Sequence, residues 1–505
     1  MAATASAENG SSRFSLWWRR ATWWLWALLL LTIPVTSHPW VARLTGKTGV
    51  SPLAGIPLLL LVVAWLPWQI VRRRSLPATA AVLLAFCVAA LAASAAALLL
   101  PLVPIDGFGL VGRELRALLT LAIGVCFFLV AAMLPATRGQ VNASLRWIYG
   151  GEMLLLAYSA FQVARLPFAF NPVPEKVVAF HRLFSIRDPL RARVTGFAFE
   201  PSWLGDQLVM LYLPLTLASV WVAFSAFDRR PRRRSLELAL GLGSVLVLFF
   251  TFARLAWLSF FLQLAALLVA TVWARLGPRE AGVGSAVGKV RGRRSYTRLG
   301  GAAAMVLLLL TLAAGLILLG AALDTRFAAS LAADVQTVFE GRHPWPYALA
   351  NQLKYGERLM YWIGGFRIFS EFPVLGVGLG NAGFLLPDTV PGFAFTLPEA
   401  IDTLRLGVYG VPNTKSLWIR LLAETGMIGF SLFAVYVAGI GVLGARLMRR
   451  AESMAKAIGL AALLGIGALI VEGFSLDTFA LPQLWLLPGL AVAATRVALT
   501  PGANS

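Results

Sequence analysis

The chain has 505 residues, of which 59% are hydrophobic and 13% charged, and its mean hydropathy is +0.76. That much apolar surface cannot be hidden in a soluble core, which excludes a soluble protein. The formal charge of +21 would suit nucleic acid, but its placement excludes that partner: the basic residues sit in short clusters between apolar runs.

Apolar runs long enough to cross a bilayer fall at 21–36, 52–71, 77–103, 114–135, 143–164, 203–224, 236–252, 255–275, 299–322, 416–443, 455–473 and 478–497. The clusters Arg19–Arg20, Arg72–Arg74, Arg229–Arg234, Arg291–Arg298 and Arg446–Arg450 then all fall on one side. The positive-inside pattern makes that side the cytoplasm and places both termini there. No convincing small-residue cleavage site accompanies the first run, so it is read as a retained span. The expected fold is all-α and polytopic, with about 12 transmembrane helices. Residues 1–322 hold helices 1–9, with an extracytoplasmic loop at 165–202. Residues 323–415 form the large extracytoplasmic loop, and 416–505 hold helices 10–12. The stretch 276–298, rich in Gly, Arg and Ser, reads as a flexible cytoplasmic linker.

Inside the large loop, residues 349–371 have helical periodicity, with Leu349, Leu353, Met360, Ile363, Phe366 and Phe369 on one stripe. Lys354, Arg358 and Tyr361 fall on a neighbouring face. This predicts an amphipathic helix at the outer membrane–water boundary, stopped by the turn at Gly376, Gly378 and Gly380. Cys87 and Cys126 lie inside apolar runs and read as small buried hydrophobes. His38, His181 and His343 have no metal-ligand spacing, so no metal and no cofactor is expected.

Arg254 stands between two minimal spans, where an arginine is costly unless it lines a wet cavity or meets an anion. The plain alternative is snorkelling to the headgroups. Arg193 precedes a turn at Gly196 and a Glu200–Pro201–Ser202 helix start, with Asp206 in the first turns of the span. Ser202 as a cap, or Glu200 at a helix N-terminus, would be the structural reading. Arg358 could belong to a solvated helix face or to a site. Glu152 is mid-span. Arg420 and Glu424, four apart, read as an ion pair on one helix face.

Four segments, RVTGFAFEPSWLG, TFARLAWL, YGERLMYWIGGFRIFSEFPVLGVGLGNAGF and PNTKSLWIRLLAETGMIGF, in this order and over roughly 190–435, resemble the O-antigen ligase and polymerase superfamily. The resemblance implies a metal-independent membrane glycosyltransferase of the bacterial inner membrane, with an undecaprenyl-diphosphate-linked glycan as donor. It implies catalytic roles for Glu200, Arg254 and Arg358, and substrate contacts from Arg193, Arg254, Arg358, Tyr361, Asn413 and Lys415. Membrane lipids and a chain-length regulator protein are the further partners it implies. Ligases of this family carry a histidine where this chain has Pro412–Asn413–Thr414–Lys415, and FEPS around Glu200 looks more like the repeat-unit polymerases. A polymerase is therefore favoured, with a ligase acting on lipid A–core or protein as the alternative. The rival of another class is a flippase or secondary transporter; the internal repeats and broken helices of such folds are not expected here.

Overall fold

The computed structural model describes residues 2–45, 49–72, 78–104, 109–166, 173–227, 235–276, 355–405 and 410–499. The chain divides into two units, Met1–Trp257 with Arg358–Ser505, and Leu258–Glu357. Of the second, only residues 258–276 and 355–357 are described.

Among the described residues the structure is helical, with only isolated β-bridges from Ser37 to Ser51 and Ser185. The helices are α1 Ala2–Thr32, α2 Pro39–Leu44, α3 Gly55–Ala64, α4 Leu66–Arg72, α5 Ala78–Ala97, α6 Leu110–Met133, α7 Arg138–Arg165, α8 Glu175–His181, α9 Pro201–Val222, α10 Ser235–Thr251, α11 Arg254–Leu276, α12 Gly356–Glu371, α13 Ala382–Thr389, α14 Leu417–Met448, α15 Ser453–Glu472 and α16 Gln483–Leu499. A helix lies in every expected span except 299–322, which falls outside the described residues, as do 323–354 of the large loop. Six of them, α5, α6, α9, α11, α14 and α15, are long and apolar enough to cross a membrane. Large apolar side chains such as Leu59, Val63, Leu119, Val435 and Ile470 stand exposed on the bundle. Such a surface marks contact with lipid, and the chain is an all-α membrane protein.

Local chemistry sets the helix starts. Thr137 caps α7 by accepting from Gln140 N, and Ser416 caps α14 by accepting from Ile419 N. The start of α9 follows one of the two structural readings of the sequence and not the other. Its N-cap is Glu200, with Pro201 at the first helical position, and Ser202 is no cap: its hydroxyl donates to Glu200 Oε2 at 3.3 Å. The core lies where α5, α6, α14 and α16 meet. Phe86 and Phe433 pack at 5.3 Å between centroids, Phe128 and Tyr436 at 5.6 Å, and Trp485 donates to Phe479 O.

Two further features are not read from the apolar pattern, the second of them a correction. Helix α12 buries Met360, Tyr361, Gly364, Gly365 and Ile368 and leaves Phe366 of the predicted stripe 53% exposed. The buried residues recur at i, i+4, i+8 and share Met360 with the apolar stripe. Apolarity pointed elsewhere because glycine is what permits close packing: a Cβ on Gly364 would lie 2.9 Å from Leu386, and one on Gly365 2.4 Å from Ile419. The buried face joins Val377, Leu386, Val390 and Leu397 in a protein core. Second, a span is broken. Gly426 in α14 is non-helical (φ 61°, ψ −166°). The segment 373–378 fills the break, with Val377 N donating to Ala423 O, Gly378 N to Glu424 O and Met427 N to Pro373 O, each at 2.8–2.9 Å. Helix α9 also carries a π turn at Leu208–Tyr212.

Candidate functional site

Helices α10 and α11 are joined by only Phe252 and Ala253, and Phe252 adopts φ +51°. Thr251 Oγ1 accepts from Ala253 N, and Trp257 stacks on Phe249 while donating to Leu248 O. This tight corner makes Arg254 the first residue of α11, half-buried. Arg193 reaches the same corner, donating through Nε to Thr251 O at 2.8 Å and through Nη2 to Phe252 O at 3.3 Å. It satisfies the last carbonyls of α10. The segment around it is pinned by Gln162, whose Oε1 accepts from Thr195 N and Gly196 N.

Burial pushes the Arg193 guanidinium down, Glu200 opposes this, and the like charges of Arg187 and Arg254 add to it. The Glu200 carboxylate accepts from Arg187 Nη1 at 2.7 Å as well as from Ser202. Arg187, Glu200 and Arg254 thus all lie in the field of Arg193, so three guanidinium groups gather at this corner.

The other expected residues assemble separately. Arg358 Nη1 donates to Lys415 O at 3.3 Å and to Ser475 O at 3.2 Å. Lys415 has φ +49°, and Asn413 Oδ1 steadies that turn by accepting from Lys415 N. The Lys415 ammonium pairs with Glu399 and lies over the Tyr361 ring at 5.4 Å. Arg420 pairs with Glu424 at 2.7 Å and donates to Asp477 O. Burial raises the Asp477 carboxyl, while Arg420, Lys415 and Arg358 pull it down. Arg113, in the field of Glu424, Arg420 and Asp477, donates to Gly380 O and Pro412 O, tying the glycine turn and the 412–415 segment to α6.

Asp206, buried in α9, lies between the two groups, in the field of Glu472, Arg358 and Glu200. The structure therefore gathers Arg358, Tyr361, Asn413 and Lys415 in one network and Arg193, Arg254 and Glu200 in another, at one end of the bundle. Sequence reasoning missed Arg187, Arg113, Glu399, Glu472 and Asp477. Glu472 ends α15 and Asp477 lies in the gap before α16, and an acid at the edge of an apolar run was the signal available for them. Among the described residues no cluster of His, Cys, Asp or Glu could hold a metal ion. Compared with known proteins, the chain matches no family model and no curated protein.

Proposed function

We propose that this chain is a twelve-span glycosyltransferase of the bacterial inner membrane. It polymerises undecaprenyl-diphosphate-linked oligosaccharide repeats on the outer face, into O-antigen or exopolysaccharide. The observation that carries this reading is the gathering of Arg187, Arg193 and Arg254 at the short corner between α10 and α11. A planar guanidinium fork suits a diphosphate better than a point charge does. The acceptor hydroxyl of one lipid-linked repeat attacks the anomeric carbon of the growing chain, and the lipid diphosphate leaves with the bonding electron pair. Arginines on the leaving group stabilise the charge that develops there. Glu200 orients the acceptor hydroxyl or takes its proton.

The departure from the ligase pattern also supports a polymerase. Asn413 occupies the expected histidine's segment, and its amide oxygen is engaged by Lys415 N. The broken α14 gives no support to a transporter. Transporter breaks leave backbone groups for an ion or substrate, whereas here Val377 N and Gly378 N occupy the carbonyls of Ala423 and Glu424. The test is deletion of the gene followed by gel display of surface glycans. Core bearing a single repeat is the expected result. Bare core with accumulated lipid-linked polymer would make the protein a ligase, and an unchanged ladder would remove it from this pathway.

A further inference from the structure

Two short helices carry an exposed apolar face that has no part in the reaction outlined above. Helix α2 exposes Trp40 at 71% and Leu44 at 84%, and α8 with the turn after it exposes Phe180, Leu183 at 61% and Ile186. Exposed polar residues flank this face: Arg43, Glu175, Lys176 and the Arg182–Asp188 pair. Backbone joins the two helices. Ser51 N donates to Thr36 O, His38 N to Ser51 O and Leu53 N to Val35 O, each at 2.8–3.0 Å. Ser37 also pairs with Ser185, and Ile186 N donates to Ser37 O at 3.1 Å. The start of α2 and the end of α8 therefore share one junction.

What covers the face follows from continuity. In the chain α2 lies between α1 and α3, which pack together and expose Trp24, Leu28, Leu59 and Val63 on the lipid-facing surface. At six residues α2 is too short to cross a bilayer. Tryptophan collects at the membrane–water boundary, and an apolar face with charged flanks suits a segment lying in that plane. The same junction reaches the candidate site. Phe199 N donates to Thr36 Oγ1 at 3.0 Å, and Phe199 immediately precedes Glu200. Ile186, bonded to Ser37, immediately precedes Arg187. Each partner of the Arg187–Glu200 ion pair is thus the residue next to a hydrogen bond that ends on Thr36 or Ser37.

We infer that α2 and α8 form a foot lying in the plane of the bilayer, seated at its headgroup–acyl boundary, which sets the level of the Arg187–Glu200 pair relative to the membrane. The consequence for the reaction rests on the transferase reading above: the pair meets a lipid-anchored substrate at the depth where its diphosphate lies. Trp40, Leu44 and Leu183 are positioning residues in this account. They touch lipid and act on the site through the backbone of Thr36 and Ser37.

The test is spin-label power saturation on the purified full chain in nanodiscs of phosphatidylethanolamine and phosphatidylglycerol, with Cys87 and Cys126 replaced and one label per variant. Val63→Cys on α3 is the lipid reference and Arg191→Cys, in an exposed loop, the aqueous one. Labels at Leu44→Cys and Leu183→Cys should collide more often with oxygen than with a water-soluble nickel chelate, at a depth shallower than Val63→Cys. The aqueous pattern of Arg191→Cys at either position would overturn the inference. Few collisions with either reagent would overturn it too, by showing that a second copy of the chain covers the face. In cells, the triple variant Trp40→Ser/Leu44→Ser/Leu183→Ser should lower polymer by roughly tenfold or more, since misplacement of a positioned group by about 1 Å can cost on the order of 10²-fold. Its abundance and its unfolding temperature in detergent should stay at wild-type values, and Trp40→Phe/Leu44→Ile/Leu183→Ile should restore polymer. Undiminished polymer from the serine variant would sink the positioning role. A wild-type chain that makes no polymer would reject the transferase reading and leave the spectroscopic result standing.

Discussion

Arg254 begins a helix, where the backbone dipole already carries positive charge, and Arg193 and Arg187 add like charges nearby. On the transferase reading, that arrangement holds the leaving diphosphate. Arg254→Ala should abolish polymer formation at normal protein abundance, since loss of one transition-state donor costs on the order of 10²–10³ in rate. Arg254→Lys should retain a small residue of activity, because the charge remains and the planar fork is lost. Near-normal polymer from the lysine variant at wild-type abundance would instead identify Arg254 as a snorkelling residue. His181 is a different kind of residue. It is 1% exposed, its Nδ1 lies 2.9 Å from the Tyr158 hydroxyl, and the two rings stack. Burial lowers its pKa from 6.5 to about 4, against the opposing pull of Asp188 and a backbone hydrogen bond. The folded protein thus binds fewer protons than the unfolded chain between these values. Its stability is full above about pH 6.5 and falls as pH drops toward 4, by about 1.4 kcal/mol per pH unit where the slope is steepest. Thermal unfolding in detergent should show this loss, and His181→Gln should flatten it; an equally steep fall in the variant would assign the dependence to other groups. Arg254 was legible in the sequence because a charge between two minimal apolar runs needs a reason. His181 was not, because its burial depends on Tyr158, more than twenty residues upstream, and on a loop whose folding has no periodic signal.

At the scale of elements, the least legible feature is the break in α14. A run of apolar residues through 416–443 predicts one continuous helix, and Gly426 within it is a weak signal because glycine is common in membrane helices. What makes Gly426 a break is its partner, Gly376 in the turn after α12. A Cβ on Gly426 would lie 2.2 Å from Val374 O, and one on Gly376 2.6 Å from Ala423 O. Both residues also have φ in the left-handed region, at 61° and 69°. The two backbones meet only where side chains are missing on both sides. The glycine turn itself could be read from the sequence, but its docking surface could not, since that surface is defined by a second segment some fifty residues away. Gly426→Ala should therefore destabilise the protein by at least the ~1–2 kcal/mol of the left-handed backbone, with the clash at Val374 O added to it. The measurement is the unfolding temperature in detergent, compared with Gly467→Ala, a helical glycine with open space around it. Equal effects of the two would mean that α14 can close into a continuous helix without the inserted turn.

At the scale of the molecule, two sets of helix ends collect at two ends of the bundle. At one, Arg138 at the start of α7 pairs with Glu452 before α15, Arg146 donates to Ala226 O beyond α9, and Arg496 in α16 donates to Pro135 O beyond α6. At the other lie Arg193, Glu200, the α10–α11 corner, Lys415 and Asp477. The first set adjoins the basic stretch Arg446–Arg450, and the second contains the candidate site. A bundle sorted in this way supports a cytoplasmic face for the first set and an outer face for the site. Single-cysteine labelling tests it, after replacement of Cys87 and Cys126, both free thiols. Arg191 and Gly392 are exposed in the two loops assigned to the outside, and Arg450 is exposed between α14 and α15. An impermeant thiol reagent should mark Arg191→Cys and Gly392→Cys in intact cells and reach Arg450→Cys only after permeabilisation. Labelling of Arg450→Cys in intact cells at the rate of Gly392→Cys would reverse or abolish the assigned orientation. With the site facing the cytoplasm, where flipped lipid-linked repeats are absent, the transferase reading would fall with it.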